Sequence, residues 1–243
     1  QYDNPHYPDI DDTAAVGWAM YLADRTRYKE NIQRAARWVA GMQSRNGGFA
    51  AFDVDNTHYY LNEIPFADHG ALLDPPTADV TARCLGFLSL VDRDGYGDVI
   101  ERAISHLEGD QEAEGGWFGR WGTNYIYGTW SVLMSFELAG VDLQRPSVRR
   151  AVEWLLACQR DDGGWGETNR SYEEREWAGR HLASTSFQTA WALLGLMAAG
   201  EGEHPAVRRG IYYLQRTQRS DGLWYEPDFT APGFPRVFYL KYH

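Results

Sequence analysis

One pattern runs four times along the chain: a threonine opens an apolar stretch, and about one helical hairpin later come a glutamine, a glycine turn and an aromatic residue. The pairs are Thr13 and Gln43, Thr81 and Gln111, Thr129 and Gln159, and Thr189 and Gln218, at intervals of 30, 30, 30 and 29 residues. A fixed internal register means a repeated structural unit, and such units bury their apolar faces by stacking into a continuous core. The 243 residues are therefore expected to form a single all-helical domain, residues 1–243.

Within each unit the first stretch (12–23, 79–91, 124–139 and 186–199) is apolar over much of its circumference, which predicts a helix enclosed on most sides. The second (28–42, 97–109, 147–158 and 205–217) mixes an apolar stripe with Arg, Glu and Gln and should face solvent. Pro146 and Pro205 stand where a helix tolerates a missing N–H, and Gly47, Gly115, Gly163 and Gly222 fall just past the Gln that ends each outer helix. Alternating enclosed and exposed helices close naturally into an α/α barrel, with a solenoid as the alternative. The linkers are unequal: Gln43 to Thr81 contains Asp53, Asp55, His58, Asp68, His69, Asp74 and the Pro75–Pro76 pair, and Gln159 to Thr189 is rich in charge. Long connections in a compact repeat fold are often functional.

A net charge of −11 disfavours a nucleic-acid partner, because phosphate binding needs a basic surface. Cys84 and Cys158 lie in apolar stretches without CxxC spacing and read as buried, reduced thiols. No window approaches the ~18 to 20 apolar residues that span a bilayer. The chain starts at Gln1 without Met and ends in the aromatic run 234–242, which looks like the opening of another helix, so it reads as a fragment cut at both ends.

The hairpin ends are Gln43 to Phe49, Gln111 to Trp117, Gln159 to Trp165 and Gln218 to Trp224. The Gln can bond backbone groups at the end of a neighbouring helix while the ring packs beside it, making a clamp between repeats. Phe49 stands where the other three carry Trp, which predicts a slightly weaker clamp.

Three carboxylates, Asp9, Asp11 and Asp12, immediately precede an enclosed helix. Helix capping is one account, worth about 0.5 to 2 kcal/mol. The other begins from crowding: like charges a few ångströms apart cannot all ionise, so one carboxyl keeps its proton at neutral pH. Asp79 and Arg83, at i and i+4, can pair along one helix face. Of the chain's rings, most are expected simply to fill the core.

The four clamps, with Tyr7 to Ala14 (YPDIDDTA), Phe118 to Thr129 (FGRWGTNYIYGT) and the run from Gly233 through Phe238 to Leu240, resemble the bacterial squalene-hopene cyclases across essentially the whole chain. The resemblance implies an α/α barrel built from QW-type repeats, incomplete here, and a class II, proton-initiated triterpene cyclase that turns squalene into hopene or hopanol without cofactor or metal. It implies Asp11 as proton donor, with Asp9 and Asp12 as flanking carboxylates. A second charged constellation falls at Asp74, Asp79 and Arg83. Some members carry His at the position of Arg83, and a permanently charged guanidinium can bond the acid but cannot shuttle its proton. Phe52, Trp121, Tyr127, Phe234, Phe238 and Tyr242 match cavity-lining rings whose faces stabilise carbocations by roughly 0.5 to 2 kcal/mol. Phe66 matches the constriction by which substrate enters. The implied setting is monotopic attachment to one leaflet of the bacterial cytoplasmic membrane, on its cytoplasmic side, with a homodimer as the assembly and the fragment alone inactive. A cyclase for another polyprenoid and a non-catalytic repeat scaffold are the alternatives.

Overall fold

A computed structural model describes residues 8–64 and 73–241. Eight helices form four hairpins: α1 (Ile10–Asp24) with α2 (Lys29–Gly41), α3 (Ala78–Asp92) with α4 (Gly97–Gly109), α5 (Tyr125–Ala139) with α6 (Pro146–Cys158), and α7 (Ser186–Ala198) with α8 (Pro205–Thr217). The chain divides into two compact units, residues 1–110 with 138–140 and residues 111–137 with 141–243. None of the described helices is long and apolar enough to cross a membrane.

The outer helices follow their sequence pattern. α2 buries Ile32, Ala36 and Val39, and α4 buries Ile100, Ala103 and Leu107, each a single stripe at helical spacing. Among the inner helices α3 is enclosed on most sides, with 11 of its 15 residues buried. α1 departs from that expectation: only Ile10, Ala14 and Gly17 are buried, and Val16 and Leu22 are 53% and 70% exposed. It packs chiefly on α2 and α3, which leaves the rest of its apolar circumference uncovered. α1 and α3 approach closely through reciprocal glycines. A Cβ at Gly17 would stand 2.5 Å from the Phe87 ring, and one at Gly86 would stand 2.9 Å from the Trp18 ring.

The repeat has a hydrogen-bonded basis. Gln43 Nε2 donates to the carbonyls of Gly47 (2.8 Å) and of Val99 in α4 (2.9 Å). Gln111 does the same to Gly115 and Ser147, and Gln159 to Gly163 and Ala206, all at 2.8 Å. Each Gln thus joins its own turn to the first turn of the next outer helix. Arg150 and Arg209 donate to the Oε1 of Gln111 and Gln159. The threonine completes the link: Thr81, Thr129 and Thr189 accept the backbone N–H of Phe49, Trp117 and Trp165 at 2.9, 3.0 and 2.9 Å. The fixed interval therefore runs from a hydroxyl that receives the preceding turn to an amide that grips the following hairpin. Gly47, Gly115, Gly163 and Gly222 all have φ between 83° and 108°, where a side chain would be strained. Phe49 keeps its backbone bond but lacks the indole N–H that Trp165 donates to Leu155 (2.7 Å) and Trp224 to Leu214 (3.0 Å).

The run expected to open another helix forms a hairpin instead, β1 (Ala231–Phe234) with β2 (Phe238–Leu240), pairing Ala231 with Leu240, Pro232 with Tyr239 and Phe234 with Phe238. Pro235 has no N–H to give a helix, and Arg236 has φ 71°, a turn conformation that reverses the chain. The flanking aromatic residues suit a pleated strand.

Candidate active site

In the first unit, α1 begins at Ile10 with Asp9 as its N-cap, the Asp9 carboxylate accepting the Asp12 N–H at 2.8 Å. Capping is therefore real, and it occupies Asp9. Asp12 is exposed on the first turn. Asp11 points elsewhere: its Oδ1 lies 2.5 Å from Nε of Arg83, on the second turn of α3, and its side chain is 22% exposed. The close approach of α1 and α3 sets this distance. Burial pushes the Asp11 carboxyl up to about 6, the charge of Arg83 opposing and those of Asp79 and Asp9 reinforcing. Burial likewise raises Asp9, with the charges of Asp12 and Asp74 adding to it against backbone hydrogen bonds.

The second charged constellation divides into different tasks. Asp79 is 1% exposed and accepts the Thr77 hydroxyl (2.6 Å) and the Val80 N–H (3.1 Å). Asp74 gathers three consecutive backbone N–H groups, from Ala51 (3.2 Å), Phe52 (2.5 Å) and Asp53 (3.0 Å), while burial holds its carboxyl above the usual range. The segment it gathers is fastened on both sides: the Ala51 carbonyl accepts the Ile10 N–H at 2.7 Å, and the Phe49 carbonyl accepts the Thr77 N–H at 3.1 Å. Phe52 is half-buried on this segment, one residue from the carbonyl that caps α1. Asp74 thus acts on Phe52 and the start of α1 through the backbone.

In the second unit, Trp121 is half-buried and the guanidinium of Arg120 lies 4.3 Å from its ring centre, covering one face. Tyr127 is 8% exposed and meets Trp191 and Trp130 at centroid separations of 5.0 and 5.6 Å. Trp130 and Trp191 stack with planes 6° apart, and Phe187 meets Trp191 edge-on at 5.1 Å. Phe234 and Phe238 meet edge-on at 5.5 Å across the hairpin, with Phe238 45% exposed. Phe66 and Tyr242 lie outside the described residues.

The charged linker between Gln159 and Thr189 holds groups that sequence reasoning missed. Glu167 is 2% exposed, and its carboxylate accepts the N–H groups of Tyr125 (3.1 Å), Ile126 (2.9 Å) and Asn124 (3.4 Å) at the start of α5. Its signal is positional: it stands two residues past the clamp Trp165, as Ala51 stands two past Phe49 and Glu226 two past Trp224. Ala51 caps α1 with its carbonyl, and Glu226 accepts the Ser186 N–H at the start of α7. In these three repeats the returning turn delivers an acceptor to its own inner helix.

The whole chain, residues 1–243, matches the model of the squalene-hopene cyclase C-terminal domain. It belongs to the squalene-hopene cyclase family. The family relatives include the probable squalene-hopene cyclase of Sinorhizobium fredii, 58% identical over 249 residues and covering all of this chain and 38% of that protein. A dammaradiene synthase from Dryopteris crassirhizoma is 40% identical over 268 residues, again covering all of this chain and 39% of that protein. The chain therefore spans about two fifths of the length of these curated relatives. The apo type II terpene cyclase MstE from Scytonema superposes with a TM-score of 0.64 at 22% identity, over 95% of this chain and 61% of that one. The repeated hairpins are thus those of the α/α-barrel terpene cyclases.

Proposed function

We propose that the protein to which this chain belongs is a class II triterpene cyclase that converts squalene to hopene or hopanol. The observation that carries the reading is Asp11: a carboxyl at the head of an inner helix, largely removed from water, held up to about 6 and backed by a guanidinium. An unactivated alkene is a very weak base, so its protonation needs an acid that keeps its proton near neutrality yet leaves a stabilised carboxylate. In the proposed step the Asp11 O–H bond breaks, the proton adds to the terminal double bond, and Arg83 stabilises the carboxylate left behind. The resulting cation is taken up by successive double bonds and ends by proton loss or by capture of water. Ring faces stabilise such cations without supplying a lone pair, the role proposed for Phe52, Trp121, Tyr127, Phe234, Phe238 and Tyr242, with Phe66 at the entrance. Arg83 does not return the proton, since its guanidinium stays charged.

The reading includes attachment to one leaflet of the cytoplasmic membrane, supported by the insolubility of squalene in water. Flotation of the full-length protein with lipid vesicles tests it, and recovery only in the dense fraction would remove it. The reaction is tested by giving the complete protein squalene and, separately, shorter and longer polyprenoids in the presence of a chelator. Pentacyclic products from squalene are expected; conversion of another polyprenoid alone would keep the chemistry and change the substrate, and inertness towards all would end the cyclase reading.

A further inference from the structure

The strings around Trp121 and Tyr127 are held in a way the roles above do not explain. Residues 119–126 form a tight turn entering α5, and its backbone is bonded almost continuously to buried polar side chains. The Tyr172 hydroxyl, in a residue 3% exposed, shares its one proton between the Gly122 carbonyl (2.7 Å) and the Gly119 carbonyl (3.0 Å). Gln188, fully buried, donates through Nε2 to the Thr123 carbonyl (3.1 Å) and to the Glu167 carbonyl (2.9 Å), while its Oε1 accepts the Glu167 N–H (2.7 Å). Glu167 then takes the three N–H groups that open α5.

We propose that Glu167, Gln188 and Tyr172 form a positioning device that fixes the Trp121 turn and the first turn of α5, and so sets where the rings of Trp121 and Tyr127 stand during cyclisation. Trp121 lies between the two carbonyls gripped by Tyr172, so its Cα cannot shift unless one of those bonds breaks. Tyr127 projects from the turn of α5 that Glu167 caps, and its ring lies against the same loop: a Cβ at Gly122 would stand 2.5 Å from it and one at Gly119 2.8 Å. Loop and ring therefore move together. A scaffold alone would not need a buried carboxylate here. Burial holds the Glu167 carboxyl above its usual range, against the hydrogen bonds to Ile126, Tyr125, Ser171 and Asn124, a cost that a backbone acceptor such as the Ala51 carbonyl at α1 avoids. What the carboxylate supplies is direction, since its oxygens fit the N–H groups of a helix start in one orientation. Cation stabilisation by a ring depends on the cation standing within about 6 Å of the ring centroid, so a loop displaced by an ångström weakens it and lets early cations lose a proton.

The inference rests on the cyclase reading, and the experiment separates the two. Full-length wild type, Tyr172→Phe and Glu167→Gln are given squalene, and products, kcat, KM and the pH profile are compared, with circular dichroism as the check of folding. The expected result for Tyr172→Phe is a native spectrum, kcat lowered about 5- to 20-fold, an unmoved pH limb and incompletely cyclised products rising from traces to a major fraction. Glu167→Gln, which puts an amide N–H against backbone N–H donors, is expected to do the same or more. If Glu167→Gln fails to fold, Tyr172→Phe decides alone. A wild-type product pattern from a folded Tyr172→Phe protein, or activity lost only in proportion to folded protein, would overturn the positioning role. A wild type that forms no cyclised product would instead overturn the cyclase reading.

Discussion

In the proposed reaction Asp11 must hold a proton at neutral pH and also part with it to a very weak base. Burial answers the first demand and Arg83 the second, since a guanidinium 2.5 Å away stabilises the carboxylate that remains. With the carboxyl at about 6, about a tenth of the molecules carry the proton at pH 7. In the full-length enzyme kcat/KM is expected to fall tenfold per pH unit above about 6, measured as initial rates of product formation. Arg83→Gln removes the charge that opposes protonation, so its limb should move to higher pH while the maximal rate drops; a limb that stays in place would detach Arg83 from the acid. Stability follows the same sign. The rise from 3.8 to about 6 means that protonation favours the folded state by about 3 kcal/mol below pH 3.8, a contribution lost as pH climbs through 6. Above pH 6 Asp11→Asn lifts the cost of ionising a buried carboxyl but takes from Arg83 its Asp11 partner, so the thermal midpoint should move little. The nearness of Asp9, Asp11 and Asp12 was legible in the sequence because it is local, but burial rather than that crowding is what chiefly raises Asp11. That Asp9 is spent on capping, that Arg83 meets Asp11 and that Asp74 holds a backbone segment were not, because each depends on how α1, α3 and residues 49–53 come together.

Among the helices, the periodic Thr and Gln prove to be two ends of one device, a hydroxyl receiving the turn before and an amide gripping the hairpin after. Gln159 makes two 2.8 Å bonds from a half-buried position, whereas Gln218 makes one from an exposed position. Gln159→Ala is therefore expected to cost about 1 to 3 kcal/mol in urea unfolding and Gln218→Ala about 0.5 kcal/mol or less. Equal costs would show that the second bond, to α8, adds nothing. Thr189→Val should resemble Gln159→Ala, since it strips the buried Trp165 N–H of its acceptor. The hairpins were readable because apolar periodicity and a left-handed Gly at the turn agree at each repeat, with Pro opening the outer helix in two of them. The run 234–242 was expected to open a helix because its aromatic density looks helical until Pro235 and the reversal at Arg236 are given their weight. The α5 cap escaped notice because Glu167 lies some 40 residues from the helix it serves, in a linker where no single charge stood out.

For the whole molecule, the family and the repeat architecture were legible, because the clamps and the acidic string recur at fixed places along the chain. Product identity was not: on the proposed reading it depends on ring placement, and ring placement on long-range contacts such as Tyr172 with Gly119 and Gly122. The relatives of this chain include both squalene-hopene cyclases and a dammaradiene synthase. The measurement that bears most directly on the account is mass-spectrometric analysis of the products formed from squalene by the full-length protein and by its Asp11→Asn variant, at pH 6 with chelator present. Pentacyclic product from the wild type and none from a variant with unchanged helicity would place the initiating proton on Asp11, whereas product formed equally by both would remove Asp11 from the reaction.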